Sequence, residues 1–319
     1  MENKCLYCYN TISSSDLSTS AGQSGYHPKC SKKFYGKPIP PLLDFTEDQI
    51  LQLAEQVIKS QKTVTGVQPK LSLGLSDRKG DNDRFTIVGL WGEYILKPQT
   101  KTYPNLPEIE DLTMHLAEIS KIKTVDHSLI KLKSGQYAYI TKRIDRINGK
   151  KLHMEDMCQL TERLTENKYK GSHEQVAKAI LKYAANPGLG VTDFYELVLF
   201  CFLTGNNDMH LKNFSLLKRN QKYDFCPAYD LVASELIVEG DDEDLALNLN
   251  GKKKKIKRND FETEMQRAGI DQKVIDNIFK KYKKLIPQWN QFIMHSFLSD
   301  KLKDEYISLI ERKSIQLEL

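Results

Sequence analysis

The sequence predicts an α+β protein of two lobes, a β-rich N-terminal lobe followed by a helical C-terminal lobe. Three observations carry this. Between residues 63 and 144 apolar positions alternate or form short β-branched and aromatic runs, interrupted by one amphipathic helix. From Met154 onward the apolar period is helical. Within that half, Val191–Leu203 is apolar almost all round, as the buried central helix of a lobe must be.

Taken in order, residues 1–36 are rich in Cys and Ser and poor in aliphatic residues, and read as a module of their own. Residues 37–60 are a linker and helix. Lys37-Pro38-Ile39-Pro40-Pro41 is stiff and cannot be helical, and Thr46–Ser60 places Ile50, Leu51, Ala54, Val57 and Ile58 on one helical face. Residues 61–150 form the β-rich lobe. Lys70–Leu75 alternates, Asp77–Asp83 has turn chemistry, and Phe85–Val88 and Tyr94–Leu96 are β-rich. Asn105–Ile119 is a helix, with Asn105 as cap and Pro107 in the first turn. Leu129–Ile144 holds two further strands around Ser134-Gly135. Residues 151–319 form the helical lobe, with segments at His173–Ala185, Val191–Leu203, Asp260–Ala268, Gln272–Leu285 and Lys301–Ile315. Short strands are expected at Ser215–Leu217 and Tyr223–Phe225.

The chain has 319 residues, enough for two cores, and 40% hydrophobic with 28% charged residues is ordinary for a globular protein. A formal net charge of +5 does not argue for nucleic acid. The basic cluster Lys252–Arg258 follows the acidic stretch Asp241–Asp244, and the two read as solvated segments that offset each other. No apolar run approaches the roughly 18–20 residues of a membrane span, and Met1–Asn10 lacks the apolar stretch of a signal peptide. The expected location is the cytoplasm. Cys158, Cys201 and Cys226 lie in apolar surroundings and read as small core residues.

The residues with chemical potential fit phosphoryl transfer, which needs positioning and charge neutralisation more than covalent chemistry. Asp208 and Asn213 in Asn207-Asp208-Met209-His210-Leu211-Lys212-Asn213-Phe214 have the spacing of a carboxylate beside an acceptor hydroxyl and a metal-binding amide. Asp230, in Pro227-Ala228-Tyr229-Asp230, follows after two short strands as a second metal ligand. Lys97 ends the strand Tyr94-Ile95-Leu96-Lys97, where an ammonium can hold phosphates. Glu110, on the helix that follows, can orient that ammonium, with Glu108 as competitor. Upstream, Thr63–Lys70 contains Gly66, Val67 and Gln68, whose backbone N–H groups could wrap phosphates, although the repeated glycines of a phosphate loop are missing.

Together these segments resemble the HipA kinases, the toxin components of bacterial toxin–antitoxin systems. The resemblance rests on Thr-Val-Thr-Gly-Val-Gln-Pro-Lys (63–70), Tyr-Ile-Leu-Lys-Pro (94–98), Lys-Arg-Ile-Asp-Arg (142–146), Met-Glu-Asp-Met-Cys-Gln (154–159), the Asp208 loop and Ala-Tyr-Asp-Leu (228–231). It implies a bilobal protein-kinase-like fold and an ATP-dependent serine/threonine protein kinase. HipA proper carries a β-rich subdomain before the kinase core, and this chain has only the Cys-rich module there. It is therefore similar to the compact HipT type, whose missing subdomain is a separate small protein, HipS, encoded beside a helix-turn-helix antitoxin, HipB.

Carried over residue by residue, the resemblance makes Asp208 the catalytic base, with His210 and Lys212 in the catalytic loop and Lys212 stabilising the transferring phosphate. Asn213 and Asp230 would hold Mg²⁺. Lys97 would contact the ATP phosphates, supported by Glu110, and the backbone of Lys142 and Ile144 would face the adenine. Asp156 and Gln159 match a motif to which chemistry assigns no role. Thr63 and Thr65 stand where the family carries autophosphorylated serines. The implied partners are a HipB-like antitoxin, a HipS-like protein and an aminoacyl-tRNA synthetase as substrate, of the tryptophanyl or glutamyl type. DNA contact would come only through the antitoxin. The competing functions are a pseudokinase-like binding component of a repressor complex and a small-molecule kinase. Intact Lys97, Asp208, Asn213 and Asp230 argue against the pseudokinase.

Independently of the resemblance, Cys5-Leu6-Tyr7-Cys8 and His27-Pro28-Lys29-Cys30 form a Cys-x2-Cys … His-x2-Cys set. Four soft donors in two pairs suit a tetrahedral structural Zn²⁺, and a segment this poor in aliphatic residues needs such a staple. Thr11–Ser24 would be the loop between the pairs.

Overall fold

The alternating segments of the N-terminal half become β1 (Leu71–Ser76), β2 (Arg84–Ile87), β3 (Tyr94–Lys97), β4 (His127–Lys131) and β5 (Tyr137–Lys142) in the computed structural model of the chain. They pair antiparallel in the order β2-β1-β3-β5-β4. The structure describes residues 3–60, 70–76, 83–88, 91–147, 149–238, 240 and 242–319, with the backbone alone for 54–60. The chain divides into two compact units, Met1–Asp111 with Val125–Gly149, and Leu112–Thr124 with Lys150–Leu319.

In the first unit, period-2 alternation turns Leu71, Leu73, Phe85, Tyr94, Leu96, Leu129, Ala138 and Ile140 inward. Residues 3–36 belong to this unit. Their helix α3, numbered after the short α1 (Ser14–Leu17) and α2 (Ser20–Gln23), spans Pro28–Tyr35 and contributes Phe34 and Tyr35. Phe34 meets Tyr94 at 6.0 Å, Tyr35 meets Phe85 at 6.0 Å, and Phe85 meets Tyr94 at 5.3 Å, all edge to face. The expected loop Thr11–Ser24 is partly helical instead. Its hydroxyls explain this, because Ser13 accepts from the Asp16 N–H and Thr19 from the Gly22 N–H as N-caps of α1 and α2. Helix α4 (Glu47–Ser60) follows the Pro-rich joint. Helix α5 (Leu106–Ile119) begins where the Asn105 carbonyl accepts the Ile109 N–H. Short strands β6 (Arg146–Ile147) and β7 (Lys150–Lys151) come next along the chain.

The second unit holds a three-stranded sheet of β8 (Met154–Asp156), β9 (Ser215–Arg219) and β10 (Lys222–Phe225) in the order β10-β9-β8. Around it lie α6 (Met157–Leu160), α7 (His173–Tyr183), α8 (Pro187–Leu203), α9 (Arg258–Arg267), α10 (Gln272–Met294) and α11 (Asp300–Gln316). Helix α8 is the buried centre, with every residue from Leu197 to Leu203 inside. It starts at Pro187, ahead of its apolar run, because proline at the first helical position has no N–H to leave unsatisfied. Helix α10 runs through Pro287 and past the expected end at Leu285. Beyond the proline, Trp289 and Ile293 are fully buried, and the Trp289 indole donates to Ser120 Oγ at 3.2 Å. That packing outweighs the roughly 3 kcal/mol that an interior proline costs a helix.

The acidic and basic stretches do offset each other. Glu243 pairs with Lys253 at 3.1 Å and Asp242 with Lys254. Asp244 receives the buried Lys313 ammonium at 2.7 Å, and Asp260 receives Lys252 at 2.8 Å.

Candidate active site

Each unit carries its own group of candidate residues. In the first, the central strand β3 ends on Lys97, which is 8% exposed. Its Nζ lies 2.6 Å from Glu110 Oε1, and Glu110 is fully buried on α5. Glu108, the competitor, instead accepts from the Gln99 amide at 2.6 Å, and burial raises its pKa. The choice follows from helical geometry, since residues two apart on α5 face different directions. Lys97 Nζ also lies 5.5 Å from the centroid of the Tyr139 ring. Removing one partner of such a buried pair strands the other charge, at a typical cost of about 3–5 kcal/mol.

Lys142 closes β5 with its N–H engaged by the Asp126 carbonyl at 2.9 Å, and Ile144 lies half-buried just beyond. A nucleobase could therefore not take the Lys142 N–H as a donor. Asp145 fixes this segment. It accepts from Arg143 Nε at 3.0 Å and Nη2 at 2.9 Å, and pairs with Arg146. Burial works against its charge, but the Arg143 and Arg146 guanidiniums hold its carboxyl below the usual range. Gly66, Val67, Gln68, Thr63 and Thr65 lie outside the described residues.

In the second unit, α8 delivers the chain into a turn at Gly205, where φ is +66°. A side chain there would strain the backbone and meet Leu309 Cδ1 at 2.9 Å, so only glycine fits. The loop then runs Asn206-Asn207-Asp208. The Asn207 N–H donates to Ser234 Oγ at 2.8 Å, and the Asn213 side chain donates to the Asp208 carbonyl at 3.4 Å. The first bond anchors the loop, and the second holds Asn213, in a 3-10 turn before β9, against Asp208.

Asp208 is exposed, and Tyr169 donates its hydroxyl to Asp208 Oδ1 at 2.5 Å. Burial first, then Asp208 and Asp230, raise the Tyr169 pKa, so the phenol keeps its proton. The Tyr169 ring stands edge-on to His210 at 5.1 Å. His210 is buried with its Nδ1 lacking a hydrogen-bond partner among the described residues, and desolvation lowers its pKa against the pull of Asp208. Asp230 follows β10 with a left-handed backbone, φ +61°. The charges of Asp208 and Asp230 both act on the Tyr169 and His210 rings, and Asn213 is tied to the Asp208 carbonyl. Carboxylate and amide oxygens such as these are the hard donors that Mg²⁺ prefers.

Lys212 and Asp156 are brought together as well. Lys212 Nζ lies 2.7 Å from Asp156 Oδ2, while Asp156 Oδ1 accepts the Gln159 N–H at 3.0 Å and Gln159 Oε1 accepts the Asp156 N–H at 2.9 Å. This capping box starts α6 and fixes the carboxylate that holds Lys212. The Tyr229 hydroxyl donates to the Lys212 carbonyl at 3.1 Å. Sequence reasoning missed Tyr169 altogether and left Asp156 without a role, although Asp-x-x-Gln is a legible capping signal.

The four soft donors of the N-terminal segment also converge. Cys5 Sγ, Cys8 Sγ, His27 and Cys30 Sγ all lie within 4.8 Å of one another. His27 Nδ1 is 3.5 Å from Cys8 Sγ and 3.7 Å from Cys30 Sγ. A tetrahedral zinc with bonds of about 2.0–2.3 Å needs donors roughly 3.5–3.8 Å apart. His27 Nε2 lies 3.2 Å from the Thr11 carbonyl, a contact that directs Nδ1 toward the sulfurs. The residues present fit the ion.

The fold is kinase-like. It matches HipA in the toxin–antitoxin complex of Shewanella oneidensis HipA, HipB and operator DNA with a TM-score of 0.66, at 21% identity over 83% of this chain and 71% of that one. It matches the Helicobacter pylori proinflammatory kinase CtkA with a TM-score of 0.54, at 15% identity over 77% of this chain and 93% of that one. The family model described as HipA-like C-terminal domain matches residues 63–289, and the chain belongs to that family. A Haemophilus influenzae protein whose kinase designation is provisional is 26% identical over 244 residues, 72% of this chain and 68% of its own. The serine/threonine-protein kinase toxin HipA of Shewanella oneidensis is 29% identical over 213 residues, 60% of this chain and 47% of its own. The chain thus matches about two thirds of one curated relative and about half of the other.

Proposed function

We propose that the protein is an ATP-dependent serine/threonine protein kinase acting as the toxin of a bacterial toxin–antitoxin pair. The Lys97–Glu110 ion pair at 2.6 Å is the observation that carries this, because a buried pair in this position has a ready use in holding ATP phosphates. Asp208 would accept the proton of the substrate hydroxyl. Lys212, held by Asp156, would neutralise charge on the transferring phosphoryl group. Asn213 and Asp230 would hold Mg²⁺, which when bound neutralises and orients the phosphates. Asn213, tied to the Asp208 carbonyl, keeps amide and base in register.

The HipA–HipB likeness supports a HipB-like antitoxin as partner, with DNA reached only through it. A HipS-like protein, and an aminoacyl-tRNA synthetase as substrate, complete the function with arrest of translation. Phosphate on Thr63 or Thr65 would add about −1.5 to −2 charges beside Gly66 and shut the kinase off. The Cys5–Cys8–His27–Cys30 set would hold a structural Zn²⁺. Among the described residues no helix is long and apolar enough to cross a membrane.

Labelled ATP and a bacterial lysate test the function. Wild type should label a protein in the size range of a synthetase and Asp208→Asn should not. Label confined to small molecules would overturn the toxin function in favour of a small-molecule kinase. A phosphopeptide at residue 63 or 65 after incubation with ATP tests the off-switch, and unmodified threonines in an active preparation would remove it.

A further inference from the structure

The Cys/His knuckle lies at the start of a chain of buried contacts that ends on Lys97. Within the turn, the Cys5 N–H donates to the Asn10 carbonyl and the Tyr9 N–H to the Cys5 carbonyl, both at 2.9 Å. Tyr9, directly after Cys8, is left-handed at φ +64°, a conformation that tyrosine holds only when its surroundings impose it. Its side chain is buried, and its hydroxyl donates to Asp111 Oδ2 at 2.8 Å.

Asp111 is fully buried and adjoins Glu110 on α5. Its Oδ1 lies 2.7 Å from His127 Nδ1. His127 stacks on Tyr139 at 6.1 Å between centroids, and Tyr139 is the ring over which the Lys97 ammonium sits. Two routes therefore lead from Tyr9 to the Lys97–Glu110 pair, one along α5 and one through His127 and Tyr139. The knuckle is also stitched to the sheet edge, where the Leu6 carbonyl accepts the Leu129 N–H and Ser128 Oγ, both at 3.2 Å.

We propose that the metal-bound knuckle is a support for nucleotide phosphates: the ion at Cys5, Cys8, His27 and Cys30 fixes Tyr9, Tyr9 fixes Asp111, and Asp111 sets the Lys97–Glu110 pair. This rests on the kinase function proposed above. Tyr9 and Asp111 are positioning residues that touch no phosphate. Losing the ion frees the turn, lets Tyr9 leave Asp111, and weakens the grip on phosphate groups while the adenosine part of the nucleotide is untouched. Adenosine, which has no phosphates, separates this role from a merely structural one.

The experiment uses the full chain, with zinc content measured by mass spectrometry and affinities for ATP and adenosine by calorimetry. Tyr9→Phe should retain zinc, bind ATP about fivefold more weakly through loss of one buried hydrogen bond, and bind adenosine as wild type does. Stripping zinc should weaken ATP in the same selective way, and restoring zinc should reverse it. Purified protein without zinc, or a zinc-loaded Tyr9→Phe with wild-type ATP affinity, overturns the proposal. So does a variant that loses ATP and adenosine equally. Lys97→Met reports separately on the foundation, since unchanged ATP affinity in that variant would remove the kinase function itself.

Discussion

Lys212 and Asp156, 56 residues apart in sequence, form an ion pair at 2.7 Å. The carboxylate does two things at once, since its other oxygen caps α6. Asparagine caps a helix about as well as aspartate. Asp156→Asn should therefore fold normally yet release Lys212. The expected result is a fall in phosphoryl-transfer rate of about tenfold with little change in KM for ATP, as for a charge felt mainly in the transition state. Lys212→Ala should fall further, and the double variant should be no worse than Lys212→Ala, which a double-mutant cycle on kcat measures.

Lys97 and Glu110 separate stability from activity. Lys97→Met leaves a buried carboxylate without its ammonium, and should lower unfolding free energy by about 3 kcal/mol in a urea titration. The double variant Lys97→Met/Glu110→Leu should recover much of that loss, because no charge remains buried. Neither variant should label substrate. A double variant as unstable as the single one would mean that the pair is not the origin of the loss.

If Asp208 accepts the substrate hydroxyl as proposed, Tyr169, which already donates to it, would compete with that hydroxyl. Tyr169→Phe removes the competing donor and keeps the ring against His210. The variant should lower KM for the protein substrate about threefold, the scale of one partly exposed hydrogen bond, and leave KM for ATP unchanged. Steady-state kinetics with each substrate varied in turn checks this.

His173 predicts an acid limb in stability. The ring is fully buried against Phe194 and Phe214, neither ring nitrogen has a hydrogen-bond partner among the described residues, and desolvation lowers its pKa to about 3. In the unfolded chain it titrates near 6.5. Between those values the unfolded chain binds the extra proton, so stability is full above about pH 6.5 and falls by up to about 1.4 kcal/mol per pH unit below it. His173→Phe should flatten that limb between about pH 6.5 and 4.5 in urea midpoints, with little effect at pH 8.

Much of the fold was legible because burial and period coincide. Leu71, Leu73, Leu96 and Ile140 are buried where alternation puts them, and the apolar helix ending at Leu203 is the centre of its unit. The sequence reading also chose Glu110 over Glu108 for Lys97, as the structure does. Other features were illegible for physical reasons. Tyr169 and Tyr9 act through hydroxyls aimed at residues 39 and 102 positions away, and no local pattern encodes such a contact. Helix α10 outruns its proline because Trp289 finds Ser120, a distant partner that overrides a local breaker. Phe34 and Tyr35, in a segment read as separate, owe their place to rings on β2 and β3.

The left-handed backbone of Asp230 narrows the evolutionary exits from this site. At φ +61° only Gly, Asn and Asp sit with little strain, whereas other residues cost about 1–2 kcal/mol. Of those three only aspartate carries charge. Backbone and chemistry select the same residue independently, so glutamate, the one other acid, is penalised before any metal is considered. On the metal role proposed for Asp230, lineages that abandon catalysis should drift at this position first to Asn or Gly, which would make residue 230 a sensitive marker of active and retired copies.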